Sequence, residues 1–172
     1  IDLNFIKQNS LLSNFFENKE KKLYSCVDYI GCMSNANLKY LKDKKFVDTH
    51  KLEVNPNSID MSKYPLLKSN EFRKAQKISS HDLVFIYGGN LGKPQGMNKI
   101  LNFIKYIESK KSIHFIICGQ GTESDLIKKF IKKHKIVQTR LFTNLSKQEY
   151  LQIVKESNIG LVFLHNSFSI PN

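Results

Sequence analysis

Leu83-Val-Phe-Ile-Tyr-Gly-Gly-Asn-Leu-Gly-Lys-Pro-Gln-Gly96 is the stretch on which the reading of this chain turns. Its first five residues are apolar or aromatic strand formers with no polar face, the pattern of a strand covered on both sides. The glycines that follow let the backbone turn tightly and approach a ligand closely. Beyond them Met97, Ile100, Leu101, Ile104 and Ile107 recur at helical spacing, which predicts a helix from about Met97. A helix starting there points its first amides and the positive end of its dipole back at the loop, a ready cradle for a diphosphate. Lys93 adds a point charge. The plainer alternative is a strand-to-helix turn without a ligand. The loop is not a Walker loop, because no Gly-Lys-Ser/Thr stands at the required spacing. It is not the dinucleotide fingerprint either, and Cys118-Gly119 replaces the acidic ribose-binding residue at the end of the next strand.

Working outward, Ile113 to Cys118 reads as a second buried strand ended by Gly119-Gln-Gly121. Thr122 and Asp125 open a helix with Leu126, Ile127, Phe130 and Ile131 on its apolar face. Val137 to Phe142 is a third strand, Ser146-Lys-Gln-Glu149 a capping box opening a helix to about Ser157, and Ile159 to Leu164 a fourth strand. Strands and helices alternating in this way imply an α/β fold, a Rossmann-like parallel sheet with helices on both faces. Ligands of such sheets bind at the carboxyl ends of the strands, here Gly88-Gly89, Gly119-Gln-Gly121, Thr143-Asn144 and His165-Asn166. In the first third, Leu11, Leu12, Phe15, Phe16, Leu23 and Val27 fall mostly at helical spacing. Asp28 to Met33 reads as a short strand, Asn35 to Lys44 as a helix and Lys51 to Val54 as another strand. From Met61 to Ser80 the periodicity fades into a connector, with a short helix around Glu71 to Gln76.

The 172 residues are enough for one ordinary domain, or one domain and a piece of another. A formal charge of +12 favours anionic partners, whether phosphates, nucleic acid or an acidic lipid surface, though solvated lysines account for it equally well. Arginine occurs only at Arg73 and Arg140, which argues against sequence-specific nucleic-acid binding. Cys26, Cys32 and Cys118 show no CxxC spacing, and Cys32 and Cys118 fall in apparent buried strands, so a reducing, cytosolic compartment is expected. No apolar run approaches the roughly 18 residues of a membrane span. The chain opens on Ile1 and stops at Pro171-Asn172, and both ends read as cut.

The glycine loop, the Ile116-Ile-Cys-Gly-Gln-Gly121 segment, Phe142-Thr-Asn-Leu-Ser146, the helix bearing Tyr150 and Ile159-Gly-Leu-Val162 follow one another in an order that resembles the donor half of family 4 retaining glycosyltransferases. Those enzymes have two facing Rossmann-like domains, the GT-B arrangement. Upstream, Asp28 to Ser34 and Val54-Asn-Pro-Asn-Ser-Ile-Asp60 look like the end of the acceptor domain and the crossover. The resemblance implies the end of an N-terminal domain over 1–60, a connector over 61–80, and a nucleotide-sugar-binding domain over 81–172, truncated at its C-terminal end. It implies that Gly88, Gly89, Asn90, Gly92, Lys93, Gln95 and Gly96 meet the donor diphosphate. Gly119, Gln120, Gly121, Asn144 and Leu145 would meet the nucleoside, and His165 and Ser167 would lie near the donor sugar. For His165 the commoner role of satisfying loop backbone is the stronger reading.

The family's donor loop carries an arginine and a lysine where this chain has Asn90 and Gln95, so Lys93 and backbone amides are expected to serve the phosphates. Gly-Asn-Leu-Gly loops resemble those of the O-antigen, lipopolysaccharide and capsule subgroup. The implied activity is transfer with retention from a UDP- or GDP-linked sugar to a glycan or polyprenyl-linked acceptor, without an obligatory cofactor or metal. The implied location is cytoplasmic, with an anionic inner membrane surface as an optional partner and no nucleic acid. The family's acidic pair is expected beyond Asn172, so no catalytic residue is assigned and the piece is expected not to turn over alone. A non-catalytic nucleotide- or phosphate-binding module is the first alternative, a basic nucleic-acid-binding domain the second. The remaining histidines show no metal-ligand spacing, and His114 is expected to point out from its strand. Asp28, Asp60, Asp82, Glu123 and Asp125 suit caps and turns. The Lys128, Lys129, Lys132, Lys133 and Lys135 edge reads first as a solvated helix face.

Overall fold

In a computed structural model, the structure describes residues 6–7, 9–44, 46–60 and 70–165. They fall into two compact units, the described residues up to 60 in one and those from 70 to 165 in the other.

The first unit opens on α1 (Leu11–Cys26), capped where the Ser10 side chain accepts from the Ser13 amide. Then come β1 (Ile30–Cys32), α2 (Asn35–Asp43), capped by Ser34, and β2 (Leu52–Val54), which a 3-10 turn at Thr49–Lys51 precedes. The strands pair in parallel, Ile30 opposite Leu52 and Cys32 opposite Val54, so β1, α2 and β2 form one strand–helix–strand unit. The helical spacing in α1 does give a helix, but its apolar residues do not form a core. Leu11 is 90% exposed, Leu12, Phe15, Phe16 and Leu23 are also exposed, and Ser13 is the one buried residue of the helix. Cap and helix propensity suffice to specify a helix; they do not specify what covers it.

The second unit carries α3 (Glu71–Ala75), β3 (Leu83–Gly88), α4 (Met97–Ile107), β4 (Ile113–Cys118), α5 (Ser124–Lys133), β5 (Thr139–Phe142), α6 (Lys147–Lys155) and β6 (Ile159–Gly160). The four strands form one parallel sheet in the order β5-β4-β3-β6. Two cores lie on its two faces. One joins Tyr87, Phe115 and Ile117 to Met97, Ile100, Ile104 and Ile107 of α4 and Ile127 of α5. The other joins Val84, Ile86, Ile116 and Cys118 to Ile78 and Ile153, with Phe72, Phe142 and Tyr150 packed against it. Alternate residues of β3 and β4 thus enter opposite cores, which is why these strands show no polar face.

Three expectations are corrected. The third strand starts at Thr139, not Val137, which is 71% exposed. The fourth pairs only at Ile159 and Gly160, with one further bond from the Leu161 amide to the Ile86 carbonyl. The end of β3 is drawn the other way, Gly88 pairing with Cys118 and the Gly89 amide donating to the Cys118 carbonyl, so among the described residues Val162 to Leu164 have no strand to pair with. His114 does not point out: it is buried, because a sheet covered on both faces has no solvent side. Its Nε2 lies 3.0 Å from Asp82 Oδ2, and its Nδ1 lies 3.3 Å from Arg140 Nη1. Since arginine only donates, Nδ1 accepts and Nε2–H donates to the carboxylate.

Arg73, counted in the sequence only as one of two arginines, is buried and fastens three segments. It donates to the carbonyls of Glu156, Ser79 and Asp82 and to Asn158 Oδ1, at 2.7 to 3.0 Å. The Glu156 carboxylate in turn accepts the Phe72 and Arg73 amides at the start of α3, satisfying orphan donors of a helix start. Residues 70–80, which the sequence reads as connector with a short helix around Glu71 to Gln76, hold this packed helix.

Two outcomes follow for stability. Arg73→Ala removes four hydrogen bonds beside a buried carboxylate and is expected to lower the unfolding free energy by roughly 2–5 kcal/mol, measured by urea denaturation. The His114 hydrogen bond, seconded by the Ser79 amide, holds the Asp82 carboxyl below its ordinary range. That contribution is therefore complete above the unfolded carboxylate value, about 4, and is lost as pH falls through the folded one. The gap in Tm between wild type and Asp82→Asn is expected to narrow from about pH 5 to about pH 3.

Candidate functional site

The glycine loop leaves β3 at Gly88 and reaches α4 through a 3-10 turn at Lys93–Gln95. Leu91, fully buried, anchors it in the core. The Leu91 amide donates to the Gln120 carbonyl and the Leu91 carbonyl accepts the Glu123 amide, joining this loop to the one after β4. The Tyr87 hydroxyl donates to the Asn90 carbonyl at 2.7 Å. Gln95 closes the turn: its Oε1 accepts from the Gly92 amide at 3.1 Å and from Asn90 Nδ2 at 3.4 Å. Gly96 caps α4 in the left-handed region, φ 65°, where a side chain would also press on the His165 backbone. The loop is therefore held by its own bonds before any ligand arrives.

Most loop amides are engaged in this closure. Gly89 donates to Cys118, Leu91 to Gln120, Gly92 to Gln95, Gln95 to Gly92 and Gly96 to Lys93. Among the described residues the Asn90, Met97 and Asn98 amides hold no acceptor. Glycine is also needed after β4, since a Cβ on Gly119 would fall inside the Gly89 carbonyl oxygen.

A cavity of about 520 Å³ opens at the carboxyl ends of β3, β4 and β5. Gly88, Gly89, Asn90, Cys118, Gly119, Gln120, Asn144, Leu145 and Tyr150 line it. None of these side chains is charged. Burial pushes the Cys118 thiol up to about 12, so at neutral pH it is an uncharged wall and not a nucleophile. Burial, helped by Cys118, likewise raises the Tyr150 phenol. Asn144 adopts φ 57°, a left-handed conformation that asparagine tolerates best among residues with a side chain.

The structure thus brings Gly88, Gly89, Asn90, Gly119, Gln120, Asn144 and Leu145 of the sequence-derived set around one cavity. Gly92, Lys93, Gln95, Gly96 and Gly121 shape the loops but are not among its lining. His165 donates its backbone amide to the Pro94 carbonyl at 2.8 Å, and Lys99 Nζ donates to the Leu164 carbonyl at 2.7 Å, so the segment after β6 is tied to the glycine loop. Ser167 lies outside the described residues. Cys118 and Tyr150 were missed as lining. A signal for Tyr150 was present: the capping box at Ser146, with the Glu149 carboxylate accepting the Ser146 amide, sets the register of α6. With Leu145 before the cap and Tyr150 at the fourth helical position, the pair occupies staple positions that face the sheet, and both pack on one core.

Residues 68–169 match the family model described as glycosyl transferases group 1. The chain belongs to that family. Solved glycosyltransferases have the same fold. One from Rickettsia africae superposes with a TM-score of 0.67 at 14% identity, over 84% of this chain and 41% of that one. Anabaena Alr3699/HepE, in complex with UDP-glucose, gives 0.64 at 12% identity over 86% and 42%. WaaG, a glycosyltransferase involved in lipopolysaccharide biosynthesis, gives 0.66 at 10% over 91% and 44%. The architecture is accordingly a Rossmann-like parallel sheet matching one half of a GT-B glycosyltransferase. This chain spans about two fifths of the length of each of these structures. No curated protein matches it in sequence. Among the described residues of this group 1 member, no three His, Cys, Asp or Glu side chains cluster to hold a metal, and no helix is long and apolar enough to cross a membrane.

Gly119→Ala is expected to cost roughly 1–3 kcal/mol in thermal or urea melts, because backbone must move to admit the methyl. Gly160→Ala, where a Cβ would meet nothing within 4 Å, serves as the control and should shift stability by no more than about 0.5 kcal/mol.

Proposed function

We propose that this chain is the donor-binding part of a retaining glycosyltransferase, which moves a sugar from a nucleoside diphosphate to a glycan or lipid-linked acceptor. The single observation that carries the reading is the uncharged cavity at the carboxyl ends of three parallel strands, next to a prefolded glycine loop that opens a helix. Nucleotides bind at that end of such sheets, and diphosphates bind at helix starts where amides and dipole converge. Membership of the group 1 family supports the same assignment.

In this reading the nucleoside enters the cavity and the diphosphate lies on the loop, served by the Asn90, Met97 and Asn98 amides, by Lys93 and by the α4 dipole. Gln95, which the resemblance aligned with a phosphate-binding lysine, holds the loop in shape instead. Retention requires the leaving diphosphate and the incoming hydroxyl on one sugar face, and the loop supplies the positive potential on which the leaving charge collects. The cavity lining carries no carboxylate, so donor binding without turnover is the activity assigned to these residues alone. Residues 1–60 form the end of the acceptor domain in this scheme, and the acceptor belongs to bacterial O-antigen or capsule synthesis at the cytoplasmic side of the membrane. The Anabaena protein is solved with UDP-glucose and WaaG acts in lipopolysaccharide biosynthesis, which favours a UDP-sugar over a GDP-sugar and a surface glycan over other acceptors.

A thermal-shift series with UDP, GDP and ADP tests this. UDP or GDP is expected to raise Tm, a hundredfold excess over Kd being worth about 2.7 kcal/mol. A folded sample that none of the three stabilises would sink the assignment.

A further inference from the structure

Tyr150 has no part in the scheme above. Its ring packs against the core formed by Ile86, Cys118 and Ile153, and its hydroxyl stands where a side chain on Gly88 would begin, in the cavity wall. Among the described residues that hydroxyl holds no hydrogen-bond partner. A phenol is protonated at neutral pH and burial pushes this one further up, so it offers one donor and two lone pairs to whatever enters.

What enters is constrained by charge. The chain carries +12, yet no charged side chain lines the cavity. A diphosphate placed inside would find no countercharge, and desolvating it there would be costly. Lys93, the cation of the glycine loop, is not among the lining residues. A neutral, planar group suits the cavity: the floor of Gly88, Gly89 and Gly119 has no side chains, and amides at Gln120 and Asn144 flank it.

We infer that Tyr150 is a specificity-determining residue of the donor site, its phenol hydroxyl hydrogen-bonding the nucleoside part of the donor while the diphosphate stays on the glycine loop. This rests on the donor-binding reading. It goes beyond that reading by assigning a side chain and the portion of the ligand it reads.

Titration calorimetry on the full chain separates the outcomes, with Tyr150→Phe compared to wild type. The probes are UDP and GDP, the monophosphate of whichever base binds more tightly, and inorganic pyrophosphate. Loss of one neutral hydrogen bond is expected to weaken di- and monophosphate by the same factor, roughly two- to twelvefold, without effect on pyrophosphate. A loss confined to the diphosphate, or shared by pyrophosphate, would put the hydroxyl on the phosphates and overturn the inference. Unchanged nucleotide affinity in the variant overturns it as well, leaving donor binding itself intact. A folded wild type that binds no nucleotide overturns both. If the Phe variant melts early, Tyr150→Leu, which keeps apolar contact with the core, should show the same pattern.

Discussion

Burial of both faces of β3 and β4 is the constraint from which the second unit follows. Val84 and Ile86 enter one core while Phe85 and Tyr87 face the other, and β4 repeats the pattern in register. A strand buried in this way can show polar groups only at its ends. Towards the amino ends, His114 bonds to Asp82 through one ring nitrogen and to Arg140 through the other. At the carboxyl ends the same need is met by loops whose amides and carbonyls pair across from one loop to the next, Leu91 with Gln120 and Glu123. The cavity is the space these paired loops leave, which is why its walls are backbone, amide and phenol instead of charge.

This loop architecture gives the side chains unexpected duties. Gln95 and Tyr87 spend their polar atoms on the loop, and Leu91 is its anchor. In the proposed donor site, contact with an anion is left to a few amides and to charge outside the lining. Preorganisation of this kind lowers the ordering cost of binding, because the loop does not have to be assembled around the ligand.

The sheet and its helices were legible in the sequence because they rest on periodicity. Met97, Ile100, Ile104 and Ile107 are all buried in one core, and the capping box at Ser146 opens α6 as written. The ends of β5 and β6 were not legible, since apolar residues at Val137 and Val162 satisfy a strand pattern whether or not a neighbour is there to pair with. His114 was misplaced because alternation presumes a solvent side. The exposed leucines and phenylalanines of α1 show the same limit, for periodicity reports a face and not its cover. At the site, glycines at strand ends could be found by spacing, but Tyr150 reaches the cavity from a helix far along the chain, a neighbour only the fold creates. Arg73 is similar, its four acceptors lying between Ser79 and Asn158.

The brevity of β6 has a further consequence. Edge strands are templates on which other chains add strands and aggregate. Among the described residues β6 offers only Ile159 and Gly160 in strand geometry, after which the chain turns to the glycine loop and is tied down at Pro94. A two-residue strand that ends in glycine is a poor template for cross-β growth. Among the described residues, the departure that binds the segment after β6 to the glycine loop thus also shortens the template that β6 presents.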